Sequence, residues 1–300
     1  MLLLVLASLL WSVSFALIKS SGIHPDVLSA ARLGLAALLF VPLLVRGRQR
    51  TNAMEASSLA WKLIGIGAIQ FGLMYVLVMR SYAFLAGHEV ALLTVTTPIF
   101  IVLFEALLAR RVAARAVLAA WMAVAAALVL RWPEEGGLGG LDSSGLLLVG
   151  AANAAWALGQ ILYRRVAPPG AEPGARLPLR LFGWMYVGAV AVAGPWAALH
   201  TSAADWQLDQ SQSWKVLYLG LVPSGLAFYL WNRGAVDVGV GALAVMNNLK
   251  VPLAVAVALA PPFSESFDGA RLGLSAVLLT LALGVATWRS GPHATGSTRP

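Results

Sequence analysis

The chain lacks cysteine and carries few charges for its length. None of its 300 residues is cysteine, which excludes disulfides, thiolate chemistry and cysteine-ligated metal sites. Charged residues make up 11% and apolar residues 59%, a balance too apolar for a soluble domain of this size. The net charge of +8 would suit nucleic acid, but the basic residues stand in short clusters between apolar runs. That pattern is typical of membrane topology, so we expect a lipid bilayer and no nucleic acid as the partner.

Motifs for catalysis are also missing. The histidines are scattered at positions 24, 88, 200 and 293, and no HExxH sequence occurs. There is no P-loop, and no serine or aspartate stands in a recognisable catalytic motif. We therefore predict that the protein is not an enzyme, and that it uses no cofactor and no metal ion.

What the chain has in abundance is long apolar segments separated by short gaps with glycine and proline. A helix that crosses a bilayer needs about 20 mostly apolar residues. The first run has no basic segment before it and no small-residue cleavage site, so it is predicted to be a membrane helix and not a signal peptide. The ten runs are Leu2–Lys19, Asp26–Val45, Leu59–Tyr82, Glu89–Ala109, Ala113–Leu130, Ser143–Tyr163, Leu177–Leu199, Trp214–Arg233, Gly239–Ala260 and Ala270–Trp288. They predict an all-α integral membrane protein with ten transmembrane helices.

The two halves of the chain resemble each other. When 61–80 is shifted by 153 residues onto 214–233, both segments begin with Trp-Lys, end with Arg and share glycines at matched places. Five helices per half is an odd number, so the second half must lie inverted relative to the first, an arrangement that suits alternating access. We predict a first repeat over 1–130, a linker over 131–142, a second repeat over 143–289 and a disordered tail over 290–300.

Lysine and arginine predict the orientation. With the amino terminus in the cytoplasm, fourteen of these residues lie on the cytoplasmic side, five lie outside, and Arg32 and Lys250 lie within the membrane. Cytoplasmic loops carry an excess of basic residues. We therefore predict a multi-pass protein of a bacterial-type inner membrane with both termini in the cytoplasm.

The ninth run is polar at its middle, where contact of polar side chains with lipid would be unfavourable. Asn247, Asn248 and Lys250 stand there, followed by Pro252. An ammonium at this depth costs several kcal/mol unless it faces a cavity or a partner. Proline removes a backbone hydrogen bond and kinks a helix, so we expect a broken helix that lines a central substrate cavity.

Several short sequences together resemble those of the drug/metabolite transporter superfamily, EamA type. They are the run Leu10-Trp11-Ser12-Val13-Ser14-Phe15 with Lys19, Arg32, and the step Thr96-Thr97-Pro98 with Glu105. The resemblance covers essentially the whole chain and implies a transporter of small organic molecules. Its tryptophans and the polar ninth helix look most like the branch that exports aromatic amino acids. The chain departs from the family at Lys250, where a small or hydroxyl residue is usual.

The candidate site residues are chosen by combining these observations. Ligand pockets are mostly apolar with a few polar groups, which favours deep aromatics and buried amides. We expect hinges at Pro98 and Pro252, and a gating or structural pair between Arg32 and Glu89. The predicted substrate-binding residues are Trp11, Phe15, Tyr75, Thr94, Thr97, Trp156, Gln160, Met246, Asn247, Asn248 and Lys250.

Simpler roles stay open for most of these residues. Threonine hydroxyls near Pro98 can bond carbonyls of their own helix. Arg32 can bind a carboxylate, snorkel to the headgroups or pair with Glu89. Any single tryptophan can serve packing or an interfacial belt.

The most favoured function is a monomeric secondary transporter that exports small metabolites, with amino acids, above all aromatic ones, as cargo. A carrier of anionic metabolites or nucleotide sugars is the first alternative. An intramembrane enzyme or a lipid-handling helper is the second.

Overall fold

The computed structural model describes residues 1–19, 21–45, 53–85, 87–110, 113–131, 142–166, 177–259 and 269–288. Within these residues the regular structure consists of helices, with no strand. The predicted all-α architecture is confirmed. The predicted linker (131–142) and tail (290–300) lie almost wholly outside the described residues.

The first half of the chain contains five helices, of which the second is interrupted at Val41 and two others change geometry along their length. Their bounds are α1 (Leu2–Lys19), α2 (Pro25–Phe40, continued by Pro42–Val45), α3 (Ala53–Gly67, a π-helical segment Ala68–Leu73, then Met74–Ser81), α4 (Gly87–Leu93, a 3₁₀ turn Thr94–Thr96, then Thr97–Ala109) and α5 (Ala114–Arg131).

The second half repeats this plan. Its helices are α6 (Ser143–Val166), α7 (Gly183–His200, preceded by a 3₁₀ turn Leu179–Phe182), α8 (Gln210–Leu219, a π-helical segment Gly220–Ala227, then Phe228–Ala235), α9 (Val240–Leu259) and α10 (Gly269–Thr287). A short 3₁₀ turn, Ala203–Trp206, precedes α8.

Hydropathy assigns most of these helices to a membrane. Six of the described helices (α2, α3, α6, α7, α9 and α10) are each long and apolar enough to cross a bilayer. Shorter apolar stretches lie in α1, α4 and α5. Leu38, Leu147 and Leu199 are 72–80% exposed in the isolated chain, as expected of side chains that face lipid.

The helix contacts follow the internal repeat. In the first half α1 packs against α8 and α9, and in the second half its counterpart α6 packs against α3 and α4. Likewise α2 packs against α7 and α8, while α7 packs against α2 and α3. The two π-helical segments also match, because a shift of 153 residues carries 68–73 onto 221–226.

The predicted break in the ninth helix does not occur. Helix α9 is one α-helix from Val240 to Leu259 and passes through Pro252 without a change of type. Its neighbours depart from α-geometry instead: α4 forms a 3₁₀ turn just before Pro98, and α3 and α8 carry the π segments. Such π segments occur frequently at functional sites.

The orientation of the chain remains a prediction that cysteine labelling can check. Ser57 near the start of α3 and Ser211 at the start of α8 are both exposed, and the native chain has no cysteine to interfere. With a cytoplasmic amino terminus, Ser211→Cys reacts with an impermeant thiol reagent in intact cells, and Ser57→Cys reacts only after permeabilisation. The opposite labelling pattern would show that the orientation is the reverse of the predicted one.

Candidate functional site

The middle of the bundle holds a cluster of buried aromatic rings, which we call the central aromatic cluster. It consists of Trp11 on α1, Phe71 on α3, Trp156 on α6, and Phe228 and Trp231 on α8. The Trp11 ring lies 5.0 Å from Trp231, 5.5 Å from Phe228 and 5.6 Å from Trp156, measured between centroids. The matched tryptophans Trp11 and Trp156 therefore touch edge to face, at an interplanar angle of 74°.

Lys250 reaches this cluster from α9. Its Nζ lies 6.0 Å from the centroid of the Trp11 ring, a weak cation–π contact. Among the described residues, this ammonium has no hydrogen-bond acceptor and no carboxylate partner. The Lys250 residue remains partly exposed, whereas Asn247 and Asn248 on the same helix are buried. An unpaired cation at this depth needs water or a ligand in the space beside it.

A network of amides and indoles connects α6, α8 and α9 next to the cluster. Trp156 Nε1 donates to Asn247 Oδ1 at 2.8 Å, and Trp231 Nε1 donates to Gln160 Oε1 at 3.0 Å. Asn247 Nδ2 donates to the same Gln160 oxygen at 3.2 Å. These bonds satisfy polar groups that would otherwise be costly in an apolar interior, and they fix both indole rings in position.

The other predicted residues of α9 point to different neighbours. Asn248 Nδ2 donates to the carbonyls of Val95 on α4 and Ala123 on α5, both at 2.9 Å. Its Oδ1 is buried and has no partner among the described residues. Met246 is 3% exposed and belongs to the apolar core. The structure thus brings Asn247 and Gln160 to the aromatic cluster and bonds Asn248 to α4 and α5.

Arg32 forms a second polar group with Tyr75 and Ser224. Its Nε donates to Ser224 Oγ at 3.0 Å, and its guanidinium lies 5.0 Å from the centre of the Tyr75 ring. The Tyr75 hydroxyl is also 3.1 Å from Ser224 Oγ. Arg32 is 3% exposed, and Glu89 is not among the partners recorded for it within the described residues.

Side chains from other helices bond the carbonyls of the α8 π segment. Trp11 Nε1 donates to the Pro223 carbonyl at 3.0 Å. The Tyr186 hydroxyl donates to the carbonyls of Ser224 and Gly225. The wide turn of α8 is thereby held by α1 and α7.

The threonine-rich turn of α4 bonds largely to itself. Thr97 Oγ1 donates to the Thr94 carbonyl at 2.7 Å, and the Thr97 backbone N–H donates to the same carbonyl, so the donor that Pro98 lacks is replaced. Asn153 on α6 donates to the Leu93 carbonyl at 2.9 Å and so ties the turn to the second half. This geometry favours local bonding for Thr97, and the role of Pro98 as a hinge stays a prediction. The side chain of Phe15 lies outside the described part of the chain.

Sequence reasoning missed Ser224 and Arg164. Ser224 follows Pro223 in an apolar run, and the shift of 153 residues pairs it with Phe71, so the repeat offered no polar signal. Arg164 follows Tyr163 at the end of a predicted helix and gave no signal of a structural role, yet it is 8% exposed and donates to the carbonyls of Ala235 and Val238. Ala235 is the last residue of α8, where a cation is favourable, and Val238 lies in the connection to α9.

The paired tryptophans allow a controlled mutational test. We expect Trp11→Ala and Trp156→Ala each to lower the transport rate about tenfold or more, since each loses buried ring contacts worth about 0.5–1.5 kcal/mol per pair and an indole hydrogen bond. The controls Trp61→Ala and Trp214→Ala remove rings that are 70% and 66% exposed. Equal losses at all four positions, measured in proteoliposomes, would contradict a special role for the central pair.

A helical bundle with a buried aromatic cluster, beside a lysine that has no anionic partner among the described residues, has the features expected of a membrane transporter for small molecules. The chain belongs to the EamA-like transporter family, whose model matches residues 1–132. A probable biotin transporter of Pseudomonas aeruginosa is 34% identical over 286 residues, 94% of this chain and 96% of the relative. The biotin transporter of Escherichia coli K12 is 35% identical over 269 residues, 87% and 84% of the two chains.

A solved structure has the same fold. It matches with a TM-score of 0.75 at 22% identity, covering 95% of this chain and 96% of the other, and its title reads only "Crystal structure of protein". The likeness supports the architecture of the bundle. The family model and the two relatives confirm the predicted family, while the amino-acid exporter branch is not confirmed.

Proposed function

We propose that this protein is a secondary transporter whose cargo is biotin or a closely similar carboxylate with a compact apolar body. The observation that carries the proposal is the Lys250 ammonium, which lies beside Trp11 and has no anionic partner among the described residues. Two relatives that align with most of this chain are named as a biotin transporter or a probable one. Biotin carries one carboxylate, which would neutralise this cation.

The surroundings of Lys250 suit the rest of the molecule. Biotin has a short aliphatic chain and two fused rings, and these would pack against the rings of the central aromatic cluster. Its cyclic urea offers two N–H donors and one carbonyl acceptor. Asn247 and Gln160 hold the complementary amide groups, which now bond each other and the indoles. We infer that the cargo replaces these hydrogen bonds when the rings of Trp11 and Trp156 move apart.

Aromatic amino acids, the cargo predicted from the resemblance, are the second candidate. They share the carboxylate and the apolar body. They also carry an ammonium, which would be repelled by Lys250 and would need an anion of its own. Nucleotide sugars fit less well, because their phosphates would call for more than the two cations that the sequence assigns to the membrane, Arg32 and Lys250.

Alternating access provides the mechanism. The two matched π segments and the 3₁₀ turn before Pro98 are places where α3, α8 and α4 depart from regular geometry. We infer that α3 and α4 move against α8 and α9 about these points, so that the space beside Lys250 opens to one side at a time.

Counterflow in liposomes tests the proposal. Purified protein is reconstituted, the vesicles are loaded with unlabelled biotin, and entry of external labelled biotin is measured with protein-free vesicles as the control. Competition by unlabelled biotin, phenylalanine, tryptophan and a nucleotide sugar ranks the cargo classes. We expect competition by biotin alone. Competition by the amino acids and none by biotin would overturn the assignment. The resemblance predicts export, and transport rates measured under substrate gradients of opposite direction show whether export is favoured.

A further inference from the structure

A separate cavity lies at one end of the bundle, where α2 begins and where α3 and α7 end. Its volume is about 270 Å³. None of its lining residues belongs to the central aromatic cluster. The polar or large ones are His24, Asp26, Met79, Arg80, Tyr82 and His200.

Asp26 supplies a buried acceptor to this cavity. The residue is 5% exposed and lines the cavity, and its carboxylate has no hydrogen-bond or ion-pair partner within the described residues. Its backbone N–H donates to His24 Nδ1 at 3.3 Å, which fixes the start of α2. The carboxylate oxygens are not among the fully buried atoms, so they remain accessible from the cavity to a ligand that donates N–H groups.

Arg80 supplies the complementary donor. Its guanidinium lies 4.8 Å from the centre of the Trp196 ring, and Trp196 in turn stacks on His200 at 4.1 Å. Stacking on a ring face holds the guanidinium in place and leaves the N–H groups at its edge available. Those N–H groups have no acceptor among the described residues. A planar carboxylate is the ligand that this fork binds best, through two parallel hydrogen bonds.

We propose that this cavity is a peripheral docking site for the cargo, in which Arg80 binds the carboxylate and Asp26 accepts from the ring N–H groups. The inference rests on the proposed function, since biotin carries both chemical groups. The volume lies just below the usual range of about 300–1,000 Å³ for ligand pockets, which suits a small molecule.

A chain of neighbouring residues connects this site with the central aromatic cluster. Tyr82 lines the cavity and interacts electrostatically with Arg32, which itself bonds Ser224. Ser224 follows Pro223, whose carbonyl accepts from the Trp11 indole, and Trp11 is the ring beside Lys250.

Kinetic analysis of biotin uptake by proteoliposomes separates docking from translocation. We expect Arg80→Gln and Asp26→Asn each to raise KM about five- to tenfold and to leave kcat within twofold, because the loaded central site is unchanged. Arg80→Lys keeps the charge but loses the fork, so its KM falls between those of wild type and Arg80→Gln. Lys62→Gln removes one charge from an exposed position near the other end of α3 and serves as the matched control.

The outcomes distinguish the two proposals. Absence of biotin transport by the wild-type protein would overturn both. Wild-type transport with an unchanged KM in Arg80→Gln and Asp26→Asn would overturn only the docking site. A fall of kcat with unchanged KM in both variants would also overturn it, because that pattern indicates a structural or gating role.

Discussion

Replacing Lys250 with methionine is expected to reduce transport of carboxylate cargo about 100-fold. The ammonium lies beside Trp11 and has no anionic partner among the described residues, so its favourable interaction must come from cargo or water. Removing one partner of a desolvated, hydrogen-bonded charge pair costs about 2–5 kcal/mol, and each 1.4 kcal/mol is a factor of ten. Methionine keeps most of the length and apolar bulk of the side chain.

The fold is expected to survive this substitution. No described protein group loses a hydrogen bond, and an unpaired charge is removed from the membrane interior, which favours stability. Purified Lys250→Met and the surface control Lys62→Met are compared with wild type in the counterflow assay and in thermal unfolding. A folded Lys250→Met protein that moves every carboxylate at the wild-type rate would show that the lysine does not bind cargo.

Adding a single methyl group at Gly67 is expected to damage folding more than any other small change in α3. A Cβ built at Gly67 would lie 1.9 Å from the Met185 carbonyl oxygen, and one at Gly188 would lie 1.9 Å from the Ile64 carbonyl oxygen. The backbones of α3 and α7 therefore approach each other through reciprocal glycines. Small residues permit such contacts between membrane helices, where no hydrophobic effect drives association.

Gly65 provides the matched control two residues away, since a Cβ there meets nothing within 4 Å. We expect Gly67→Ala to destabilise the protein by about 3 kcal/mol or more, because the obstruction is backbone and cannot rotate away. Gly65→Ala should be neutral or slightly stabilising, as alanine favours helix over glycine. Detergent-solubilised yield, monodispersity and thermal midpoint measure the difference. Equal behaviour of the two variants would contradict the close approach.

Features carried by local sequence could be predicted without the structure. The apolar runs predicted the helices closely: the ninth run, 239–260, corresponds to α9 at Val240–Leu259. The 153-residue shift predicted the internal repeat, and the contacts of α1 and α6 with each other's half follow it. Hydropathy and repetition are properties of the chain itself, so they do not depend on which helices become neighbours.

The site was predictable only in part. A buried lysine is costly in a membrane, and a buried tryptophan is bulky. These properties marked Lys250, Trp11 and Trp156 as central in the sequence. The sequence could not show that Gln160 bonds Asn247 and Trp231, or that Arg32 bonds Ser224. Each of these amides and cations has several chemically suitable partners, and the choice among them depends on packing.

Sequence by itself determined the membrane class, the helices and the repeated plan, because these follow from the apolar content and order of residues along the chain. Tertiary structure decided which of the prolines accompany a departure from α-geometry. Proline predicted a break in α9, yet α9 is continuous, and the wide turn lies in α8. The carbonyls of that turn accept hydrogen bonds from Trp11 and Tyr186, which are distant in sequence. A helix in an apolar medium can widen only where such donors satisfy its backbone, and the fold must bring them there.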